Sequence, residues 1–194
     1  MNKLCIKGIC VLLLSIPILL NVGCSKDDDD KNGGKVYTLG ETGPAGGIVF
    51  YVNPAGGGLE AAPAGWTVTG NDPSASWGCV DLDVEGTSEE IGSGMANTQL
   101  IVNACNTENI AAKIANNLVH NGFDDWYLPS IEELMLLYQN SELVVDLSPS
   151  WYWSSSQTSP TSAWARHFGI GMPAEGRNKV TASNVRVRPI RTIN

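Results

Sequence analysis

The chain has 194 residues, 43% hydrophobic and 16% charged, which excludes a disordered polymer and a charged coiled coil. Twelve Lys and Arg against twenty Asp and Glu give a net charge of −8, which excludes a general nucleic-acid binder. Twenty-one glycines and ten prolines point to a loop-rich fold, and the length allows one domain with a short appendage.

Lys3 and Lys7 form a positive start, followed by a run from Ile9 to Leu20 interrupted only by Ser15 and Pro17. A spanning helix needs ~20 apolar residues, so this run reads as the h-region of an export signal rather than an anchor. Asn21-Val22-Gly23-Cys24 follows directly and resembles a bacterial lipobox, although Leu20 sits one place further back than the usual pattern wants. A plain signal peptide with a coincidental cysteine is the alternative. Ser25-Lys26-Asp27-Asp28-Asp29-Asp30-Lys31 resembles a signal that, in one Gram-negative phylum, sends lipoproteins to the outer face of the outer membrane. It also reads as a solvated tether. The division expected is a signal peptide over 1–23, a lipidated Cys24 with an acidic tether over 24–36, and a folded domain over 37–194. Three acyl chains at Cys24, at ~0.8 kcal/mol per buried CH2, make a lasting anchor, and twelve flexible residues hold the domain on the order of 20 Å from the bilayer.

Five cysteines are present; Cys5 and Cys10 lie in the removed segment and Cys24 takes lipid. Cys79 and Cys105 remain, and an exported chain with an even remainder invites a disulfide, closing a ~25-residue loop worth roughly 3.5 kcal/mol. Two free buried thiols, or a metal or redox pair, are the alternatives.

Gly46 to Val52 reads as a strand entered through glycines, with a turn at Asn53–Gly58 and a returning strand at Leu59–Ala62. Gly65 to Gly94 reads as a long irregular loop. Thr98–Cys105 and Thr107–His120 are predicted as one broken helix or two, with Thr107 as cap and Asn121-Gly122 closing the second. Pro129-Ser130 with Glu133 makes a capping box for a helix running to about Asn140, with Leu134, Leu137 and Tyr138 on its apolar face. Short antiparallel strands are predicted at 152–156, 163–168 and 184–188; in the last, Val185 and Val187 share one face and Arg186 and Arg188 the other. Strands, then helices, then strands make the class α+β.

Several blocks in this order resemble the domain family typified by the C-terminal domain of the collagen-like adhesin Lcl. They are Gly46-Gly47-Ile48-Val49-Phe50-Tyr51, Trp77-Gly78-Cys79, Asn97-Thr98, Asn103-Ala104-Cys105, Asp125-Trp126-Tyr127-Leu128-Pro129-Ser130-Ile131-Glu132-Glu133-Leu134, Tyr152-Trp153-Ser154-Ser155-Ser156 and Val187-Arg188-Pro189-Ile190-Arg191. More distantly they are similar to formylglycine-generating-type domains and the C-type-lectin-like fold. The resemblance implies a loop-rich, C-type-lectin-like domain with two main helices on a bacterial surface protein. For the adhesin it implies binding of sulfated polysaccharides and a trimer. This chain departs in lacking a collagen-like repeat and in being acidic.

From Val36 to Ala165 there are fifteen acids and one base, Lys113; from Arg166 to Arg191 there are six bases and one acid, Glu175. An anionic glycan is drawn to the second stretch. Arg166, Arg177 and Lys179, near Gly- and Pro-rich loops, are the expected ligand contacts. Arg186 and Arg188 are expected to pair with acids such as Asp124, Asp125 or Glu133. Trp126 and Trp153 are expected in the core; among Trp66, Trp77, Trp151 and Trp164, exposed rings such as Trp151 and Trp164 are candidates for sugar stacking.

No G-x-S-x-G, H-E-x-x-H or P-loop occurs. His120 is expected at a helix end, in a capping role, and His167 on a strand. Asp81, Asp83 and Glu85 offer oxygens for Ca2+ or form a solvated acidic loop; they lack the EF-hand pattern. The expectation is a non-catalytic surface lipoprotein without cofactor or bound metal. It binds glycans or sulfated polysaccharides, touches the outer membrane through its lipid and has homo-oligomerisation open to it; a structural or protein-interaction module is the alternative.

Overall fold

The computed structural model describes residues 35–169, 171–180 and 184–194. Strands β1 (Ile48–Val52) and β2 (Gly58–Ala61) form an antiparallel hairpin. Asn53 starts its turn by accepting the Ala55 N–H at 2.9 Å, and Gly57 ends it at φ +72°, where a Cβ would sit 2.2 Å from the Ile193 carbonyl oxygen. That close approach exists because the last strand, β7 (Ile190–Ile193), pairs antiparallel with β2 and completes a three-stranded sheet in the order β1-β2-β7.

The second sheet is built from β3 (Trp151–Ser159), β4 (Ser162–His167), β5 (Glu175–Asn178) and β6 (Val185–Arg186), in the order β5-β4-β3-β6. β6 runs parallel to β3, where the sequence pattern had suggested an antiparallel strand. β5 and β7 escape the pattern: Glu-Gly-Arg-Asn has no β-branched residue, and β7 follows Pro189, which breaks its run from β6.

Three helices separate the strand groups: α1 (Gly94–Ala104), α2 (Ala111–Asn116) and α3 (Ile131–Gln139), the last followed by one 3-10 turn at Ser141–Leu143. The architecture is α+β. None of the described helices is long and apolar enough to cross a membrane. The capping box at α3 forms as expected: Ser130 Oγ accepts the Glu133 N–H, and Glu133 Oε2 accepts the Ser130 N–H at 2.8 Å.

The helix expected at 107–120 is confined to α2. Asn109 takes φ +57°, which no helix accommodates, so Thr107 caps nothing. Asn121 (φ +50°) and Gly122 (φ +83°) do not cap a helix either. They are the centre of a two-residue turn whose flanks, His120 and Phe123, exchange both backbone hydrogen bonds. His120 therefore stands at no helix end; it meets Trp126 edge-on, 6.5 Å between ring centres.

Period-two alternation along β3 divides the core. Trp153 and Trp151 face one way, into a cluster with Trp77, Ile101, Ile110 and Val187. Tyr152 faces the other way, among Phe50, Leu134, Leu137 and Ile190. Trp126 and Trp153 are buried, as the sequence suggested.

Two arginines seal the ends of this arrangement. Arg188, with its side chain 1% exposed, donates from Nε and Nη2 to Asp72 Oδ2 at 3.0 and 2.8 Å and from Nη1 to the Ala62 carbonyl at 2.8 Å. The Tyr152 hydroxyl donates to the same Asp72 oxygen at 2.8 Å, and the Trp66 indole donates to the other at 2.7 Å. Arg191 grips Asp125 with two bonds of 2.7 and 2.8 Å and Glu60 with a third of 3.1 Å. The expected partners for Arg186 and Arg188 are thus corrected. Both reach Asp72, Arg186 by donating from Nη1 to the Asp72 backbone carbonyl at 2.7 Å, because the loop carrying Asp72 packs beside β6.

Removing one partner of a buried ion pair strands the other charge, at a cost of ~3–5 kcal/mol, whereas replacing both by apolar groups is far milder. Arg188→Met is therefore expected to lower the urea midpoint sharply, and Asp72→Leu with Arg188→Met to recover much of the loss. Arg191 holds the Asp125 carboxyl below the usual carboxylate range. Between the folded and unfolded values the unfolded chain binds the extra proton, so this stabilisation is present above the ordinary Asp range and is lost as pH falls through the lowered folded value. Melting temperatures followed from pH 6 to pH 2, a span chosen about the ordinary Asp range of ~3.9, are expected to fall less steeply for Asp125→Asn than for the wild type.

Candidate functional site

α3 is placed by its buried capping box. Glu133 also accepts the Gly92 N–H at 2.8 Å, tying the helix start to the approach to α1; burial pushes its carboxyl above the ordinary range. The helix then carries Tyr138 to the second sheet, where the Arg166 guanidinium of β4 lies over the Tyr138 ring at 3.7 Å. Phe168 packs edge-on against the same ring at 5.6 Å and lies tilted against Tyr152 at 4.7 Å. Beside these rings opens a cleft of about 360 Å³ lined by Tyr138, Gln139, Ser141, Glu142, Phe168 and Gly169. Arg166 is 8% exposed, and among the described residues its Nε has no hydrogen-bond partner.

The other cations anticipated as ligand contacts are elsewhere. Register pairing of Arg177 with Ala163 and of Trp151 with His167 puts Arg177, Trp151 and His167 on the opposite face of the sheet from Arg166. There Arg177 covers the Trp151 ring at 4.4 Å and bonds Glu175 at 2.6 Å, while His167 meets Trp151 edge-on at 5.2 Å. Trp151 is thus buried rather than offered as a platform. Trp164 is half-buried, with its indole N–H donating to Glu89 at 2.7 Å.

Lys179 is a correction: it is fully buried and cannot meet a ligand from solvent. Its ammonium lies over the Trp77 ring at 4.6 Å and donates to the Leu82 carbonyl at 2.9 Å and to Gln157 Oε1 at 2.6 Å. Burial pushes its pKa down to about 8, against the upward pull of Asp83 and Asp81. The cationic stretch at 166–191 is therefore largely internal wiring and makes no continuous basic surface.

Cys79 and Cys105 form a disulfide, with Cα atoms 5.4 Å apart, joining the long loop to the C-terminal end of α1. Gly78 allows this: a Cβ there would lie 3.1 Å from Ile101 and 3.4 Å from the Cys105 sulfur. Asp81, Asp83 and Glu85 do not converge; among the described residues no three His, Cys, Asp or Glu gather as metal ligands. Cys24 and the tether as far as residue 34 lie outside the described residues; at its end, Lys35 pairs with Glu41 at 3.0 Å and Val36 is exposed.

Tyr138 and Phe168, which shape the cleft, were not legible as site residues. Tyr138 reads as one more apolar residue of α3, and only the packing of α3 on β4 brings it under Arg166.

A disulfide-braced α+β head, with two sheets and an aromatic cleft beside the second, is the class of protein these features define. The chain belongs to the Lcl C-terminal domain family, whose model matches residues 65–191. The match starts after β2 and takes in the disulfide, the capping box, Arg166 and both sealing arginines. No curated protein matches the chain.

Proposed function

We propose that this chain is a lipoprotein of the bacterial outer membrane, held by acyl chains on Cys24, whose C-type-lectin-like head binds glycans without catalysing a reaction. The observation that carries the reading is the cleft beside Arg166. Aromatic rings suit the apolar face of a sugar, and the amide, hydroxyl and carboxylate of Gln139, Ser141 and Glu142 suit its hydroxyls. The buried guanidinium favours a saccharide carrying a carboxylate or sulfate, since charge-assisted bonds gain strength where water is thin. The disulfide fits an exported protein, and the lipobox-like segment supplies the anchor.

A protein-interaction module is the second reading. It is favoured by Val145, 63% exposed, beside an apolar groove lined by Ile48, Ala62, Pro63 and Val144. Pull-down of a surface protein without retention on any polysaccharide would select it.

The chain from Val36 onward is expected to be retained on a heparin or acidic-glycan matrix and to elute with salt. Arg166→Gln and Tyr138→Ala are expected to weaken retention about tenfold or more, as a charged hydrogen bond is worth ~1.5–3 kcal/mol. Arg177→Ala, on the far face of the sheet, is expected to leave it unchanged; the reverse ranking would move the site, and no retention would remove the reading. For the anchor, growth with an alkyne palmitate analogue is expected to label the chain and Cys24→Ala to abolish the label. An unlabelled wild type would exclude lipidation.

A further inference from the structure

Lys179 and Gln157 carry chemistry that glycan binding does not use. The Lys179 Nζ is 2.6 Å from Gln157 Oε1, one bond from the carboxamide carbon. The backbone around the lysine is fixed on both sides: its N–H donates to the Thr161 carbonyl at 3.0 Å and its carbonyl accepts the Trp77 N–H at 2.9 Å. The Gln157 amide is held as firmly. Its oxygen also accepts the Val84 N–H at 2.9 Å, and its nitrogen donates to the Asp83 carboxylate in a short contact.

Each role needed for acyl transfer to an amine is filled. Lys179 is the nucleophile, buried against the Trp77 indole, and that burial makes the neutral amine accessible near neutral pH. Gln157 is the electrophile. The Val84 N–H points at the oxygen that would take negative charge in the tetrahedral intermediate. Asp83 touches the nitrogen that must leave, so it can carry a proton to it. Folding brings the partners together and removes the cost of bimolecular encounter.

We propose that Lys179 and Gln157 join in an intramolecular isopeptide bond, formed once in the folded protein with Asp83 as proton carrier. Lys179 Nζ gives up a proton to Asp83 through one bridging water and attacks Gln157 Cδ. The C–N bond to the carboxamide nitrogen breaks as that nitrogen takes the proton back from Asp83 and departs as ammonia. The lysine nitrogen's second proton accompanies the ammonia, so an ammonium and a carboxamide become a secondary amide and an ammonium ion. No oxidant or second substrate enters. The product straps the segment after β5 to β3 across β4, next to the loop that Cys79–Cys105 already braces.

The test is peptide mapping of the full-length folded protein by mass spectrometry, after reduction and alkylation. Trypsin is expected to fail at Lys179 and to release Ile114–Arg166 joined to Asn178–Arg186, lighter than the two linear peptides together by one ammonia, with fragment ions placing the branch at Gln157 and Lys179. Lys179→Arg keeps the charge and the donors but has no amine able to attack, and is expected to give only linear peptides. Asp83→Asn is expected to leave most of the chain unlinked while the disulfide still forms. Linear peptides ending at Lys179, in full yield from folded wild type, would overturn the bond. Undiminished linking in Asp83→Asn would overturn the assigned proton carrier.

Discussion

A buried charge must be paired, and in this fold that requirement falls on Arg188 and Arg191. Asp72 lies in the long loop, Glu60 on β2 and Asp125 just before α3, so the two guanidiniums are satisfied only when all three segments are in place. Glu60 extends the network by accepting the N–H groups of Ala45 and Gly47, at 3.1 and 2.6 Å, which fixes the entry to β1. Pro189 and Ile190, between the arginines, bond to the backbones of Ala62 and Tyr127. The last strand thus closes the first sheet, seats the long loop and orients α3 in one step. Such ionic contacts add little net stability compared with apolar packing, but they leave few alternative arrangements with every charge satisfied.

The same accounting explains why a run of cations makes no cationic surface. Sheet pleating sends Arg166 to the α3 side of β4 and Arg177 to the other side, where Glu175 neutralises it. Lys179 turns fully inward and Arg186 takes a backbone carbonyl. What remains beside the cleft is one largely buried guanidinium, Arg166, over the Tyr138 ring.

The loop from Cys79 to Val84 has almost no regular structure, yet it is tied down along its length. The disulfide holds one end, Leu82 and Asp83 meet Lys179 and Gln157, and Val84 is buried with its N–H on Gln157. Irregular backbone so near a core must satisfy its polar groups through side chains instead of a ladder. This explains the unusual density of polar contacts there and makes the loop a rigid wall of the domain.

Local chemistry made much of this legible from the residues alone. The Ser130–Glu133 capping box, the hairpin glycines and the Tyr152–Ser156 run depend on neighbours within a few positions, so α3, β1, β2, β3 and the α+β class followed from sequence, whereas the burial of Trp151 beside Trp153 did not. The Cys79–Cys105 pair followed from counting, since few partners were available. Asn121-Gly122 misled because the same dipeptide serves a helix end and a tight hairpin, and only the φ values set by its surroundings separate them. The partners of Arg188, the inward turn of Lys179 and the aromatic bed under Arg166 could be decided only by tertiary structure. Each joins segments far apart in the chain, and the side to which a strand residue points depends on a register that its own sequence does not encode.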